Sequence, residues 1–253
     1  MQAIILAAGQ GKRLAGFNPE VLPTCLLEIG GRSLLERQLE TLFHEGIRHV
    51  TLVTGFKAGL VVEHVGELTT RPEVAFVYNP AFDRGSVLSL LAATDALTSG
   101  DSVLVLDAGV LFHPRIMQTL IESPHGNCFL IDRDFNPPDG ATRFAMDEEE
   151  MAEFRNSFIT SPCYEVFGRS LGLFKFDLEV AAEIARACEG YEAEGLPGAP
   201  YEESLRDVLL ANPANFGCED VGGLPWVAIN HAADVERADG QVLPAIRNEF
   251  AGY

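Results

Sequence analysis

The sequence predicts an α/β fold: one three-layer α/β/α, Rossmann-like domain over residues 1–253, built on a mixed, mostly parallel sheet. Three observations predict it. Short apolar runs alternate with helix signals through the first 132 residues, which places crossover helices on both faces of a parallel sheet. The chain has 253 residues, 47% hydrophobic and 22% charged, enough for one well-buried core. No low-complexity tract or internal repeat interrupts it. The longest apolar run near the start, Ala3 to Ala8, breaks at Gly9, far short of a membrane span.

Each element has its own signal. Ala3–Leu6 is a buried parallel strand leading into glycines. Ser33-Leu-Leu-Glu36 is a capping box that opens a helix to about Glu45, stopped by Gly46. His49–Thr54 is a strand, Ala58–Val65 a helix stopped by Gly66, Val74–Tyr78 a strand and Val87–Leu97 a helix. Ser102–Leu106 is a strand, Pro114–Ser123 a helix with proline in its first turn, and Cys128–Asp132 a strand. Beyond Asp132 the pattern loosens. Asn136–Gly140 is a turn cluster, and the acidic run Asp147–Glu150 reads as a solvated face. Arg169–Phe176 is a strand, Asp177 caps the next helix, and Gly190–Pro200 is a surface loop. Tyr201–Leu210 is a helix, Trp226–Ile229 a strand and Ala233–Ala238 a short helix. In such a sheet, ligands sit where the loops starting at Ala7, Gly55, Asn79 and Asp107 converge.

Charge and cysteine usage narrow the function classes. A net charge of −19 argues against a nucleic-acid surface, which needs basic clusters. A chain this acidic binds a polyphosphate only through local backbone donors, arginines and a divalent metal. Of 18 basic residues only Lys12, Lys57 and Lys175 are lysine, and Lys12 and Arg13 fall in the first glycine loop. Five scattered cysteines without a CxxC pair indicate neither a disulfide framework nor a zinc site. Cys25 and Cys163 lie near polar loop residues, where a reactive role is the lesser expectation. Without a basic leader before its apolar run, the chain reads as a cytoplasmic protein starting at Met1.

The loop Leu6-Ala-Ala-Gly-Gln-Gly-Lys-Arg-Leu14 fails two phosphate-binding patterns. The dinucleotide fingerprint needs glycine at Leu14, and the P-loop needs glycine at Leu6 and Ser or Thr at Arg13. Its form, Leu-Ala-Ala-Gly-x-Gly-x-Arg-Leu after the first strand, resembles the signature of the MobA-like and sugar-phosphate nucleotidyltransferases. The similarity continues through Pro23–Glu36, Asn79–Leu90 and Ser102–Phe112. It extends to Gly168–Phe176, Tyr201–Asp207 and Leu224–Asn230, segments similar to the phosphocholine or aminophosphonate cytidylyltransferase branch.

That resemblance implies a nucleotide-binding half over 1–132 and an acceptor-binding half over 133–253. It implies transfer of a nucleotide, CMP from CTP, to a small phosphorylated or phosphonate acceptor with release of pyrophosphate. Leu6, Ala7, Ala8, Gly9, Gly11, Lys12 and Arg13 would hold the triphosphate, with Arg13 the catalytic cation. The glycines let backbone N–H groups turn toward phosphate, and Arg13 adds a forked, permanently charged donor. Gly85 and Ser86 either contact the nucleotide or form a plain helix cap. Tyr201, Glu202 and Trp226 stand where relatives hold an acceptor's cation; core packing and a wet helix face are the alternative reading.

The implied catalytic set is incomplete. Relatives supply a second cation and two aspartates that hold Mg²⁺; here Thr24, Gly109 and Asn230 stand in those places. A further lysine of relatives has only Arg155 nearby as a counterpart. Asp107 is the metal ligand left, and Asp234, His231 and His113 lie near the strand ends, where capping is the more ordinary role. The sequence thus supports a cytidylyltransferase-like enzyme, with a catalytically impaired nucleotide-binding homologue as the alternative.

Overall fold

The computed structural model describes residues 1–14, 22–134, 143–147, 150–155 and 165–250. The chain enters through β1 (Gln2–Ala7), a one-turn 3-10 helix at Lys12–Leu14, and a second at Thr24–Leu26. The hairpin β2 (Glu28–Ile29) and β3 (Arg32–Ser33) leads into α1 (Leu34–His44), β4 (His49–Thr54), α2 (Ala58–Glu67) and β5 (Glu73–Tyr78). Then come α3 (Val87–Ala92), α4 (Thr94–Leu97), β6 (Val103–Asp107), β7 (Val110–Phe112), α5 (Pro114–Glu122) and β8 (Asn127–Asp132). The remainder is β9 (Arg143–Asp147), β10 (Glu150–Arg155), β11 (Glu165–Phe176), α6 (Leu178–Ala193) and α7 (Tyr201–Ala211). It closes with β12 (Phe216–Asp220), β13 (Trp226–Ala228), α8 (Ala232–Arg237), a π-turn at Ala238–Val242 and α9 (Leu243–Phe250). No helix among the described residues is long and apolar enough to cross a membrane.

Among the described residues, nine strands form one mixed sheet. Its path is β10-β9-β11-β6-β1-β4-β5, and β8 joins it through β11 and carries β12 on its other side. The β6-β1-β4-β5 half is parallel, and β11 runs antiparallel to β6 and β8. The parallel register Leu6↔Val53 and Leu6↔Asp107 brings three strand ends to one edge. Alternation along the strands separates two cores: Ile4, Val103 and Val105 pack under α3, α4, α6 and α7, while Ala3, Ile5, Leu104 and Leu106 pack under α1, α2 and α5. This is the three-layer α/β arrangement the sequence predicts.

The later strands are tied together by aromatic packing. The Phe129 ring meets Phe144, Phe154, Phe174 and Phe176 edge-on, with centroids 5.0, 5.3, 5.3 and 6.0 Å away, geometry favoured by the ring quadrupoles. Lys175 donates to the Ser123 and Ile121 carbonyls at 2.7 and 3.3 Å, placing its charge at the carbonyl end of α5.

Several expectations need correction. The capping box at α1 is half formed: Ser33 Oγ accepts from Glu36 N at 2.9 Å, but the Glu36 carboxylate pairs with Arg32 Nε at 2.8 Å. Gly66 does not end α2, which continues to Glu67. The helix expected over Val87–Leu97 breaks at Ala93 into α3 and α4. Gly190 lies inside α6, so the loop begins at Glu194. The turn expected at 136–140, the acidic side chains at 147–150, the Arg155 side chain and Cys163 lie outside the described residues.

Candidate active site

The strand ends gathered by that register border a cavity of about 540 Å³, within the range of about 300–1,000 Å³ usual for small-molecule sites. The end of β1 and the loop after it form one wall through Leu6, Ala7, Ala8, Gly9, Gly11 and Arg13. Gly11 has φ +60°, and a Cβ there would sit 2.5 Å from Thr24 Oγ1, so the turn demands glycine. A Cβ on Gly9 would meet nothing within 4 Å. Leu14 N bonds Gly11 O at 2.8 Å, and Leu14 is buried. The one-turn helix is thereby anchored while Arg13 borders the opening. Lys12 begins that turn; its side chain lies outside the described residues.

The three substituted positions border the same space, with Thr24 between Gly11 and Gly109. Thr24, Gly109 and Asn230 all line the cavity, although 206 positions separate the first from the last. Ile229 N bonds Gly109 O at 2.8 Å, which ties the β6–β7 turn to the end of β13. Asn230 N and His231 N donate to Asp234 Oδ2 at 2.9 and 2.8 Å. Asp234 is therefore engaged at the start of α8 and does not replace a cavity carboxylate. His113 Nδ1 accepts from Arg115 N at 3.1 Å and caps α5.

Asp107, at the end of β6, reaches the cavity but is engaged by protein. Its Oδ1 accepts from Tyr201 Oη at 3.1 Å. Burial, followed by the negative charge of Glu202, pushes the carboxyl up to about 7 against the lowering effect of that bond. Burial also raises the Tyr201 hydroxyl, so it stays a neutral donor. Gly172, at φ +75°, leaves the space this carboxylate occupies. Gln38 Nε2 donates to the carbonyls of Asp107 and Val110 at 3.0 Å each, fixing the turn between them.

These donors do not fit a protein-held Mg²⁺. That ion takes oxygen ligands in a tight octahedron, yet positions 109 and 230 offer no carboxylate. Asp107, the carboxylate that does border the cavity, accepts from Tyr201. Among the described residues, no group of three or more His, Cys, Asp or Glu side chains is placed to hold a metal. Cys25 also lines the cavity, with its thiol pushed up to about 12 by burial, so it does not ionise near neutrality.

Gly85 and Ser86 border the cavity from the other end, and both are engaged by protein. A Cβ on Gly85 would run into the backbone of Pro197 and Gly198. Ser86 Oγ accepts from Tyr201 N at 3.0 Å, and Val87 N bonds Ala199 O at 3.2 Å. The segment 194–200 therefore closes on the loop before α3.

Of the acceptor candidates, Tyr201 lines the cavity, and Glu202 lines a smaller adjoining pocket. Trp226 lines neither. Its Nε1 donates to Asp132 Oδ2 at 2.8 Å, and its ring lies under the Arg169 guanidinium at 4.7 Å. Arg169 enters the adjoining pocket and was not singled out by the sequence. It stands first in the strand expected over Arg169–Phe176, where nothing separates it from an outward-facing residue.

Residues 3–138 match the model of the MobA-like NTP transferase domain. The chain belongs to that family. It is 24% identical over 257 aligned residues to a CMP-5'-(3-aminopropyl)phosphonate synthase from Streptomyces rubellomurinus, covering 96% of this chain and 39% of that protein. It is 21% identical to a CTP:phosphoglutamine cytidylyltransferase from Campylobacter jejuni, covering 93% of this chain and 98% of that one. An inositol-1-phosphate CTP transferase structure from T. maritima superposes with TM-score 0.78 at 16% identity, over 97% and 96% of the two chains. A CTP:phosphocholine cytidylyltransferase from Streptococcus pneumoniae superposes with TM-score 0.68 at 19% identity, over 94% and 97%. The two superpositions establish the nucleotidyltransferase α/β fold.

Proposed function

We propose that this MobA-like domain binds a nucleoside triphosphate, CTP first among them, beside a small phosphorylated or phosphonate compound, and that metal-dependent transfer between them is lost. The observation that carries this reading is the meeting of Thr24, Gly109 and Asn230 in one cavity with Arg13. Three separate departures from the family pattern thus fall at one place in the fold. The binding elements remain: a glycine turn supplies backbone N–H groups, and Arg13 and Arg84 border the same space. The names of the Campylobacter and Streptomyces relatives support a cytidine nucleotide and a phosphoryl or phosphonyl acceptor.

Nucleotidyl transfer needs an acceptor oxygen to attack the α-phosphorus while pyrophosphate departs. Charge then builds on the α-phosphate and the leaving group. Preorganised positive groups lower that barrier. In this chain, Arg13 holds the triphosphate and the 107–110 turn orients it. The opposing wall supplies neutral atoms where charge is required.

The test is calorimetric titration of the protein with CTP, UTP, ATP and GTP, with and without Mg²⁺, alongside a pyrophosphate-release assay. CTP should bind, more tightly with Mg²⁺ than without it, and no acceptor should elicit release. Turnover above about 1 s⁻¹, an ordinary enzyme rate, would restore the transferase reading.

A further inference from the structure

Strand β5 ends the parallel half of the sheet and, among the described residues, pairs only with β4. Glu73 N bonds Arg48 O at 2.9 Å, and Asn79 N bonds Thr54 O at 2.8 Å. Peptide groups alternate in direction along a strand, so residues 73, 75, 77 and 79 turn toward β4. Val74, Phe76 and Tyr78 turn their N–H and C=O groups to the open side.

Such an edge is a template for another strand, and proteins blunt it with lysine, proline, a bulge or a very short strand. β5 has none of these. It is six residues long, reads Glu-Val-Ala-Phe-Val-Tyr, and pairs with β4 without a register shift. Phe76 and Tyr78 are 40% and 58% exposed, on the face where Val74 packs toward the core beneath α1 and α2. Val62 of α2 is 42% exposed. It stands about 200° round the helix from His64, whose ring meets Ser33 at the start of α1 at 2.8 Å. Val62 therefore faces away from α1, toward the open edge.

This edge is complementary to itself. Pro72 and Pro80 bracket the strand, each four positions from Phe76, and neither has an N–H to give. When two β5 strands pair antiparallel, one register sets all the donor-bearing residues against one another. Phe76 then faces the second copy's Phe76, Val74 faces Tyr78, and Pro72 faces Pro80. A slip of two residues sets a proline against Val74 or Tyr78.

Charge permits this pairing despite the net −19. Glu73 is the one charged residue of β5. The register holds the two Glu73 residues six positions apart, roughly 20 Å along the strand and beyond a Debye length of about 8 Å. A parallel pairing would bring them together. The exposed parts of Phe76 and Tyr78 come to roughly 200 Å² per copy, given about 150–250 Å² for each full side chain. Twice that falls well short of the roughly 1,200 Å² of a stable interface, so association depends on the strand bonds and lies in the micromolar range.

We propose that this chain forms a reversible two-fold dimer in which two β5 edges pair antiparallel about Phe76 and join the two sheets into one.

Sedimentation of the full chain from micromolar to submillimolar concentration should show a monomer–dimer equilibrium. F76K, which sets like charges opposite each other at the two-fold axis, should weaken it at least tenfold. F76C should cross-link into a covalent dimer on mild oxidation, because hydrogen-bonded partners lie about 5.5 Å apart at Cα, within disulfide reach. A75C, on the other face and opposite Val77 in this register, should not. A chain that stays monomeric at submillimolar concentration overturns the proposal. So does a dimer that F76K leaves unchanged, or one that A75C links as readily as F76C. The cross-linking comparison decides the matter even where F76K fails to fold.

Discussion

The two walls of the cavity retain phosphate chemistry to different degrees. On the β1 side, the end of the strand and the turn that Gly11 permits line the cavity, with Arg13 at the opening. At the β6–β7 turn and the end of β13, Gly109 and Asn230 are uncharged, as is Thr24 between that turn and Gly11, and Asp107 is engaged by Tyr201. A backbone cradle needs only a conserved shape, so it persists while the packing persists. A catalytic wall depends on individual charged side chains, and single substitutions remove it without disturbing the fold. On the proposed reading, the difference separates binding from transfer.

The largest effect should come from rebuilding the second wall. A Cβ on Gly109 meets nothing closer than Thr24 Cγ2 at 3.5 Å, so a side chain can start from this position without displacing the backbone. The triple variant T24K/G109D/N230D should release pyrophosphate from CTP and a suitable acceptor with Mg²⁺, at least 100-fold above the parent. One preorganised electrostatic group alone is worth about 10²–10³ in rate. A folded triple variant that binds CTP but shows no release would mean that these positions do not carry the deficit.

The first wall breaks by a single change. Hydrogen bonds to a charged group contribute about 1.5–3 kcal/mol, so R13A should weaken CTP binding by about 10- to 100-fold in calorimetry. R13K should recover a minority of that loss, because a lysine lacks the planar fork. An unchanged Kd for R13A would move the triphosphate away from the β1 loop.

A third change acts on the engaged carboxylate. Asp107 has a folded pKa raised from 3.8 to about 7, burial being the main cause. Between those values the folded state binds more protons than the unfolded one, so stability falls as pH rises through that window. D107N removes the ionisation and still offers an oxygen to Tyr201. It should leave stability nearly unchanged near pH 4 and raise it increasingly as pH climbs to 7, by up to about 4 kcal/mol at pH 8. Denaturant unfolding at the two pH values measures this; a parallel pH dependence in both proteins would remove Asp107 as its source.

Much of this architecture was legible because its signals are local. His49–Thr54 and Tyr201 as a helix start follow from residue patterns alone, and Asp177 caps α6 through bonds to Glu179 N and Val180 N. The departures at 24, 109 and 230 were legible as substitutions, but their convergence needed the tertiary fold. The strand β12 was missed because Phe-Gly-Cys-Glu-Asp has little apolar periodicity and gains its order by pairing with β8. The three-residue β7 escaped for a similar reason, since its partner β13 lies more than a hundred residues away. Trp226 carries an aromatic signal that suits both a cation site and a core, and only its contacts with Asp132 and Arg169 distinguish them.

The smallest predicted effect tests where the first wall ends. Ser86 stands next to the cavity, yet its Oγ accepts from Tyr201 N and so joins α3 to α7. A typical intramolecular hydrogen bond contributes about 0.5–1.5 kcal/mol, and S86A should lower unfolding stability by about that amount. As a joint, Ser86 acts on nucleotide affinity only through the order of the 194–200 segment, so the CTP Kd should change by less than about threefold, roughly 0.6 kcal/mol. A stable S86A protein with tenfold weaker CTP binding would instead make the hydroxyl a direct nucleotide contact. The cradle would then extend from Gly9 across to α3, and the contrast between the walls would narrow to the three positions at 24, 109 and 230.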